Sequence, residues 1–108
     1  MFFDFIAFLY SKELQPFSDR NYGFAMLAAL HNAMSENKEF GILELYEDLP
    51  KPIQKYPAYR SYLTQLQELK LIKLEASTHK KNKYNVRLSP EIFDLINEIN
   101  QHHDFSLL

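Results

Sequence analysis

The hydrophobic pattern of the chain changes its period twice, and this change limits the folds that the chain can adopt. Up to Lys70 the apolar residues recur about every 3.6 positions, which is typical of amphipathic helices. Over 71–76 and again over 84–88 apolar and polar residues alternate, as they do in half-buried strands. Helical spacing then returns, with Ser89 as the expected N-cap and Pro90 as the first helical residue. We therefore expect a mainly α protein with a small β-hairpin, which is an α+β fold.

The length and composition of the chain are those of one ordinary globular domain. Its 108 residues are 46% hydrophobic and 24% charged, and nine Phe and seven Tyr supply ring area for a core. The absence of cysteine excludes disulfides and thiolate zinc sites, and it favours an intracellular, cytoplasmic location. The apolar N-terminus carries Asp4, and no stretch reaches the roughly 20 apolar residues of a membrane helix. We expect neither a secretion signal nor a membrane partner.

Helix breakers and caps divide this single domain, residues 1–108, into three parts. They are an N-terminal helix at 1–15, a core at 20–90 and a C-terminal helix at 90–102. Pro16 breaks the first helix, and Ser18 or Asp19 is expected to cap the second. The predicted elements of the core are helices over 20–36, 42–49 and 58–70, a short strand over 40–41, and a hairpin with strands over 71–76 and 84–88.

The order helix, short strand, helix, helix, hairpin is that of a winged helix. Leu66-Gln-Glu-Leu-Lys-Leu-Ile72, followed by a basic loop and by Leu88-Ser89-Pro90, resembles the end of the recognition helix and the wing of MarR-like and PadR-like bacterial regulators. Those families have Leu-Glu-x-x-Gly-Leu-Ile and a Leu-Thr-Pro-like segment at these places. The resemblance implies a winged helix-turn-helix with additional N- and C-terminal helices, and a function in DNA binding.

The chain departs from the pattern of these families at two places. Lys70 stands where the families usually have Gly, so the helix lacks the residue that most easily adopts a left-handed conformation. The connection from Leu49 to Pro57 contains two further prolines and is longer than the usual turn. This longer connection affects the orientation in which the rest of the domain holds the recognition helix.

Basic residues are concentrated in one part of the chain. Residues 51–87 contain nine basic and two acidic residues, and the remainder contains three basic and twelve acidic residues. This gives the stretch a net charge of +7 and the remainder −9, against −2 for the whole chain. Such segregation produces a local positive field that suits a polyanion. The alternative is a solvated face with clustered charges and no partner.

The helix over 58–70 has the properties expected of a recognition helix. If its apolar stripe of Tyr59, Leu63, Leu66 and Leu69 faces inward, its outer face carries the hydrogen-bonding groups that read base edges. The predicted DNA-binding residues are Arg60, Ser61, Thr64 and Gln65 on this face, with Tyr62 and Gln67 as further candidates, and Lys51, Lys55 and Tyr56 in the preceding turn. The alternative is an ordinary solvated surface helix.

The loop over 77–83 is predicted to be a wing that contacts the phosphate backbone. His79, Lys80, Lys81 and Lys83 are its candidate contacts, because lysines at a hairpin tip bind phosphates without reading sequence. The alternative is that these lysines only protect an exposed edge from aggregation.

The N-terminal helix, which is rich in phenylalanine, and the C-terminal helix both exceed what a minimal domain of this kind needs. We expect these two helices to form a homodimer interface, because a dimer presents two recognition helices to a pseudo-palindrome. The candidate dimerisation residues are Phe2, Phe3, Phe5, Ile6 and Leu9. The alternative is that they pack on their own core.

No catalytic site can be assembled from the spacing of reactive residues. His102 and His103 are adjacent and point apart on a helix, and His31 is expected to be a core residue with a partner. Gly23 and Gly41 are the only glycines, so the chain has no Gly-rich phosphate loop. We expect no enzymatic activity, no cofactor, no metal and no small-molecule substrate.

The function predicted from the sequence is that of a dimeric transcriptional regulator that binds double-stranded DNA. Helix 58–70 is expected to read the major groove, and the 77–83 wing to contact the backbone. Two alternatives stay open. One is a winged-helix module for protein–protein interaction, and the other is a DNA-binding accessory of replication or of a mobile element.

Overall fold

Five helices and an antiparallel sheet make up the part of the chain that the structure describes. This computed structural model describes residues 12–50, 55–77 and 83–102, with the backbone alone for 100–102. The elements in chain order are a 3₁₀ helix at Lys12–Ser18, helix α1 at Gly23–Ser35, strand β1 at Phe40–Gly41, helix α2 at Ile42–Asp48, helix α3 at Tyr56–Glu68, strand β2 at Ile72–Ala76, strand β3 at Tyr84–Leu88 and helix α4 at Pro90–His102. The expected α+β class is confirmed.

The strands within the described residues form one antiparallel sheet in the order β1-β3-β2. Val86 in the middle of β3 lies opposite Leu74 of β2 on one side and opposite Phe40 of β1 on the other. Ile72, Val86 and Leu88 are buried on the inner face of the sheet. The predicted hairpin and the predicted two-residue strand are therefore both present.

The core contains side chains from every helix and from the hairpin. Aliphatic residues fill most of it, among them Leu30 of α1, Leu45 of α2 and Ile96 of α4. Tyr22, Tyr59 and Tyr62 are the largest side chains in the core, and each is almost completely buried. None of the helices in the described residues is both long enough and apolar enough to cross a bilayer.

The predicted break around Pro16 is wrong. The chain forms a 3₁₀ helix there with Pro16 inside it, because Leu14 and Phe17 are three residues apart and so face the core together in a helix of three residues per turn. The free energy gained by burying these two side chains is larger than the cost of the one hydrogen bond that Pro16 cannot donate, because proline has no N–H group. Helix α1 consequently begins at Gly23, and neither Ser18 nor Asp19 caps it.

Helix α3 ends through a left-handed residue. Lys70 has a φ of 63°, and its N–H donates to the carbonyl of Gln67 at 2.9 Å, while the N–H of Leu71 donates to the carbonyl of Leu66 at 3.0 Å. These are the two hydrogen bonds of a Schellman motif. The turn directs Leu71 into the core and leaves Leu69 50% exposed. The prediction that Leu69 faces inward is wrong for this reason.

We expect Lys70→Gly to raise the free energy of unfolding by about 1 kcal/mol, because glycine adopts the left-handed conformation without the steric cost that lysine bears. Lys73→Gly is the matched control, since it removes the same charge from an exposed position in extended β2 and should instead destabilise the protein. Urea unfolding of the two variants measures both effects. A destabilised Lys70→Gly variant would contradict the left-handed turn.

Helix α4 is tied to α1 and to the end of α3 by buried polar contacts. His31 is 1% exposed, its Nε2 lies 2.8 Å from Oδ1 of Asn97, and burial lowers the pKa of its imidazole while the Asn97 hydrogen bond opposes that shift. The carbonyl of Ser89 accepts the first hydrogen bond of α4, and its hydroxyl donates to the carbonyl of Lys70 at 2.6 Å. The expectation that His31 is a core residue with a partner is confirmed.

Candidate nucleic-acid interface

A cleft of about 380 Å³ is bounded by the first turns of α2 and α3 and by the start of β3. Two cations line it, Arg60 from the first turns of α3 and Lys83 from the residue before β3. The other lining residues are Gly41, Ile42, Leu43, Glu44, Tyr56, Tyr84 and Asn85. The structure thus brings together one residue predicted for the recognition helix and one predicted for the wing.

The two sides of the cleft are held by contacts to the segment that contains β1 and the start of α2. On the helix side, the buried hydroxyl of Tyr59 donates to the carbonyl of Ile42 at 2.7 Å, and burial raises the pKa of this phenol well above its ordinary value. On the hairpin side, Asn85 of β3 lies opposite Gly41 of β1. Both Arg60 and Lys83 are therefore carried by backbone that is fixed to the same short segment.

Glu44 is the one carboxylate among the described residues that line the cleft. Its Oε1 accepts a hydrogen bond from the N–H of Gly41 at 3.2 Å, which places the negative charge at the N-terminus of α2, where the helix dipole stabilises it. The lining residues therefore carry two positive charges and one negative charge.

Most of the residues predicted for the recognition helix are accessible to solvent. Ser61, Thr64 and Gln65 are exposed on α3 and Arg60 is half-buried, while Lys55 is exposed just before the helix. The hydroxyl of Thr64 donates to the carbonyl of Arg60 at 3.2 Å. Tyr56, predicted to precede the helix, is instead its first residue, because α3 begins two residues earlier than expected.

Tyr62 does not belong to the outer face of α3, and its prediction as a DNA-binding candidate is wrong. Its side chain is fully buried, its hydroxyl donates to the carbonyl of Pro16 at 2.7 Å, and its ring meets that of Tyr22 edge-on at 5.7 Å. The 3₁₀ helix covers this side of α3, which the helical period of α3 could not indicate. Gln67, the other further candidate, is exposed.

Part of the basic stretch lies away from the cleft. Lys73 of β2 is opposite Arg87 of β3, and both follow inward-facing neighbours, so they project from the outer face of the sheet. Arg87 Nε lies 3.8 Å from Glu75 Oε2 on that face. The positive charge of residues 51–87 is consequently distributed over at least two surfaces.

Several predicted site residues lie outside the described residues. They are Lys51 before α3, His79, Lys80 and Lys81 in the wing, and Phe2, Phe3, Phe5, Ile6 and Leu9 in the predicted dimer interface. Their roles stay predictions.

The prediction of site residues missed two large side chains of the cleft. Leu43 and Tyr84 are 54% and 52% exposed and both line it. A signal for Leu43 existed, because the helical period of 42–49 directs its neighbours Ile42 and Leu45 inward and so leaves Leu43 outside. For Tyr84, alternation along the strand predicts the inner face, but the core ends at Val86.

The described residues contain no group of three or more histidine or acidic side chains placed to hold a metal ion. Comparisons with models of protein families, with curated proteins and with solved structures give no match.

Proposed function

We propose that the protein binds double-stranded DNA, with α3 in the major groove and the hairpin against the phosphate backbone. The observation that carries this proposal is that Arg60 of α3 and Lys83 of the hairpin line the same cleft. Cationic side chains that share one concave surface concentrate positive potential there, and a polyanion is the ligand that such a surface favours.

The order of the elements supports the proposal. Helix α1, strand β1, helices α2 and α3 and a hairpin whose second strand lies in the middle of the sheet form the arrangement expected of a winged helix-turn-helix. In that fold the second helix of the pair enters the major groove, and its N-terminal residues contact base edges. Arg60, Ser61 and Thr64 occupy that part of α3. Ser61 and Thr64 would contact base edges, whereas Arg60, which lines the cleft together with Lys83, would contact a phosphate at the edge of the groove.

The start of α3 adds to the positive potential beside the cleft. Its N-cap is the exposed Lys55, whose side chain makes no capping hydrogen bond, and its first turn contains no acidic residue. The positive end of the helix dipole therefore lies in a turn that has no carboxylate of its own. A phosphate near Lys55 would satisfy this end of the helix.

Replacement of the two cleft cations is expected to change the salt dependence of DNA binding. The slope of log K against log salt is negative, and each phosphate contact removed reduces its magnitude by about 0.9. Arg60→Ala combined with Lys83→Ala should therefore reduce the magnitude by about 1.8. Fluorescence anisotropy with a labelled duplex of random sequence, at several salt concentrations, measures this change for the two single variants and the double variant.

Lys38→Ala is the control for this experiment. Lys38 carries the same charge but lies after α1, where its Nζ is 2.9 Å from Oε2 of Glu36, so its loss should leave the slope unchanged. If the double variant has the slope of the wild type, or if the wild type binds no duplex, DNA binding at this cleft is refuted. The positive surface would then fit an acidic protein partner, which is the alternative from another class.

Selection of duplexes from a random pool distinguishes the two DNA-binding functions. A palindromic consensus would support a dimeric transcriptional regulator, because symmetric half-sites reflect a two-fold protein. Binding without a consensus would support an accessory of replication or of a mobile element.

A further inference from the structure

The cleft is more apolar than a surface that only contacts a DNA backbone needs to be. Among the described residues three large hydrophobic side chains are exposed, namely Leu43, Leu69 and Tyr84. Two of them, Leu43 and Tyr84, line the cleft together with the half-buried Tyr56, beside the cations Arg60 and Lys83. Aromatic rings and cations thus share one concavity.

A fully paired duplex offers no exposed base face to the aromatic rings of the cleft. Its outer surface is made of phosphates and sugars, and its groove edges present hydrogen-bond donors and acceptors and the methyl group of thymine. The flat faces of its bases are stacked on one another. An unpaired nucleotide, in contrast, presents a bare base and a phosphate within the reach of one small cavity, and proteins bind such bases on aromatic side chains next to cations.

One aromatic wall of the cleft is rigidly supported. The ring of Tyr56 packs edge-on against Tyr46 with centroids 5.1 Å apart, and it lies 5.8 Å from the ring of the buried Tyr59. Tyr59 is in turn fixed by its hydrogen bond to Ile42. A ring held in this way binds a base without first losing conformational freedom.

We propose that the cleft accepts one unpaired nucleotide, with its base against Tyr84 and Tyr56 and its phosphate near Arg60 and Lys83. This inference rests on the proposed function, because it assumes that DNA is bound at this face, and it adds the kind of DNA that is preferred. The protein then favours a duplex that carries a single-stranded segment over a fully paired duplex of the same sequence.

The test compares a blunt duplex with the same duplex extended by a short thymidine tail, at the 3′ end and at the 5′ end in separate samples. A tail without bases, which carries the same phosphates, separates base contacts from added charge. Stacking of one base changes affinity by about tenfold. We therefore expect the thymidine tail of one polarity to tighten binding by about tenfold, and the baseless tail to have no such effect.

Tyr84→Ala and Leu69→Ala are matched variants, since both remove a side chain that is about half exposed, and only Tyr84 lines the cleft. Tyr84→Ala should lose the gain from the tail, measured as the ratio of the variant's own affinities for tailed and blunt duplex, whereas Leu69→Ala should keep this gain. Equal binding of tailed and blunt duplexes, or an equal gain from the baseless tail, overturns the inference while DNA binding stands. If no DNA is bound at all, the proposed function fails together with it.

Discussion

Gly23→Ala is expected to lower the free energy of unfolding by about 3 kcal/mol, although alanine is ordinarily the better helix former by about 1 kcal/mol. Gly23 is the first residue of α1, and the 3₁₀ helix passes directly over it. A Cβ atom there would overlap the carbonyl oxygen of Phe17 and lie 2.6 Å from its carbonyl carbon. Because these atoms belong to backbone, the whole 3₁₀ helix would have to move, and the buried Leu14 and Phe17 would move with it.

Gly41→Ala is the control for this prediction. A Cβ atom at Gly41 would meet Oε1 of Glu44 at 2.7 Å, but that oxygen is the end of a flexible side chain and can swing away. The cost should be at most the loss of one exposed hydrogen bond, about 1 kcal/mol. Urea unfolding of both variants measures the contrast. If Gly23→Ala proved as stable as the wild type, the close packing of the 3₁₀ helix on α1 would be refuted.

Tyr62→Ala is expected to destabilise the protein by about 4 kcal/mol, because it leaves a cavity the size of an aromatic ring in the core. The ring is fully buried, and the Arg20 guanidinium lies 5.1 Å from its centroid. The substitution also removes the hydroxyl that donates to Pro16. Chemical denaturation followed by circular dichroism gives the difference in the free energy of unfolding.

Gln65→Ala, at an exposed position of the same helix, should change stability by no more than about 0.5 kcal/mol. The two variants therefore separate the buried from the accessible side of α3. A Tyr62→Ala variant that unfolds like the Gln65→Ala variant would mean that Tyr62 faces solvent, as the helical spacing of the sequence also allowed.

The elements that could be predicted are those whose pattern is local. The alternation in 84–88 predicted β3 to the residue, and the helical period of 42–49 predicted α2 within one residue. Ser89 and Pro90 marked the start of α4 for a similar reason, since capping preferences depend on a few neighbouring atoms. Local patterns of this kind are sufficient for the order of the elements and for the α+β class.

The errors concern residues whose burial depends on something other than the helical period of their own segment. Tyrosine is compatible with either side of a helix, so the burial of Tyr62 depends on the 3₁₀ helix that covers it and not on its own neighbours. Leu69 fitted the helical period, but the left-handed Lys70 ends the helix and turns Leu71 inward in its place. Neither outcome can be obtained from periodicity.

The candidate site was predicted in part. The charge distribution and the resemblance to winged-helix regulators indicated both Arg60 and Lys83, because each lies in a segment that such a fold directs to its ligand. Among the large aromatic and exposed apolar side chains of the cleft, Tyr56 was predicted as a site residue, and Leu43 and Tyr84 were not. The helical period of 42–49 placed Leu43 outside the core, but the exposure of one apolar side chain does not by itself mark a site residue. Leu43 and Tyr84 become informative only when the pairing of β1 with β3 places them beside the cations.

The contacts made by Gly41, the last residue of β1, and by Ile42, the first residue of α2, have a consequence for how a ligand can be bound. The pairing of Gly41 with Asn85 fixes one side of the cleft, and the Tyr59 hydroxyl on the carbonyl of Ile42 fixes the other. The backbone positions that carry Arg60 and Lys83 therefore have a set separation before any ligand arrives. A bound molecule has to match that separation by its own shape, and little conformational entropy of the protein backbone is lost in the encounter.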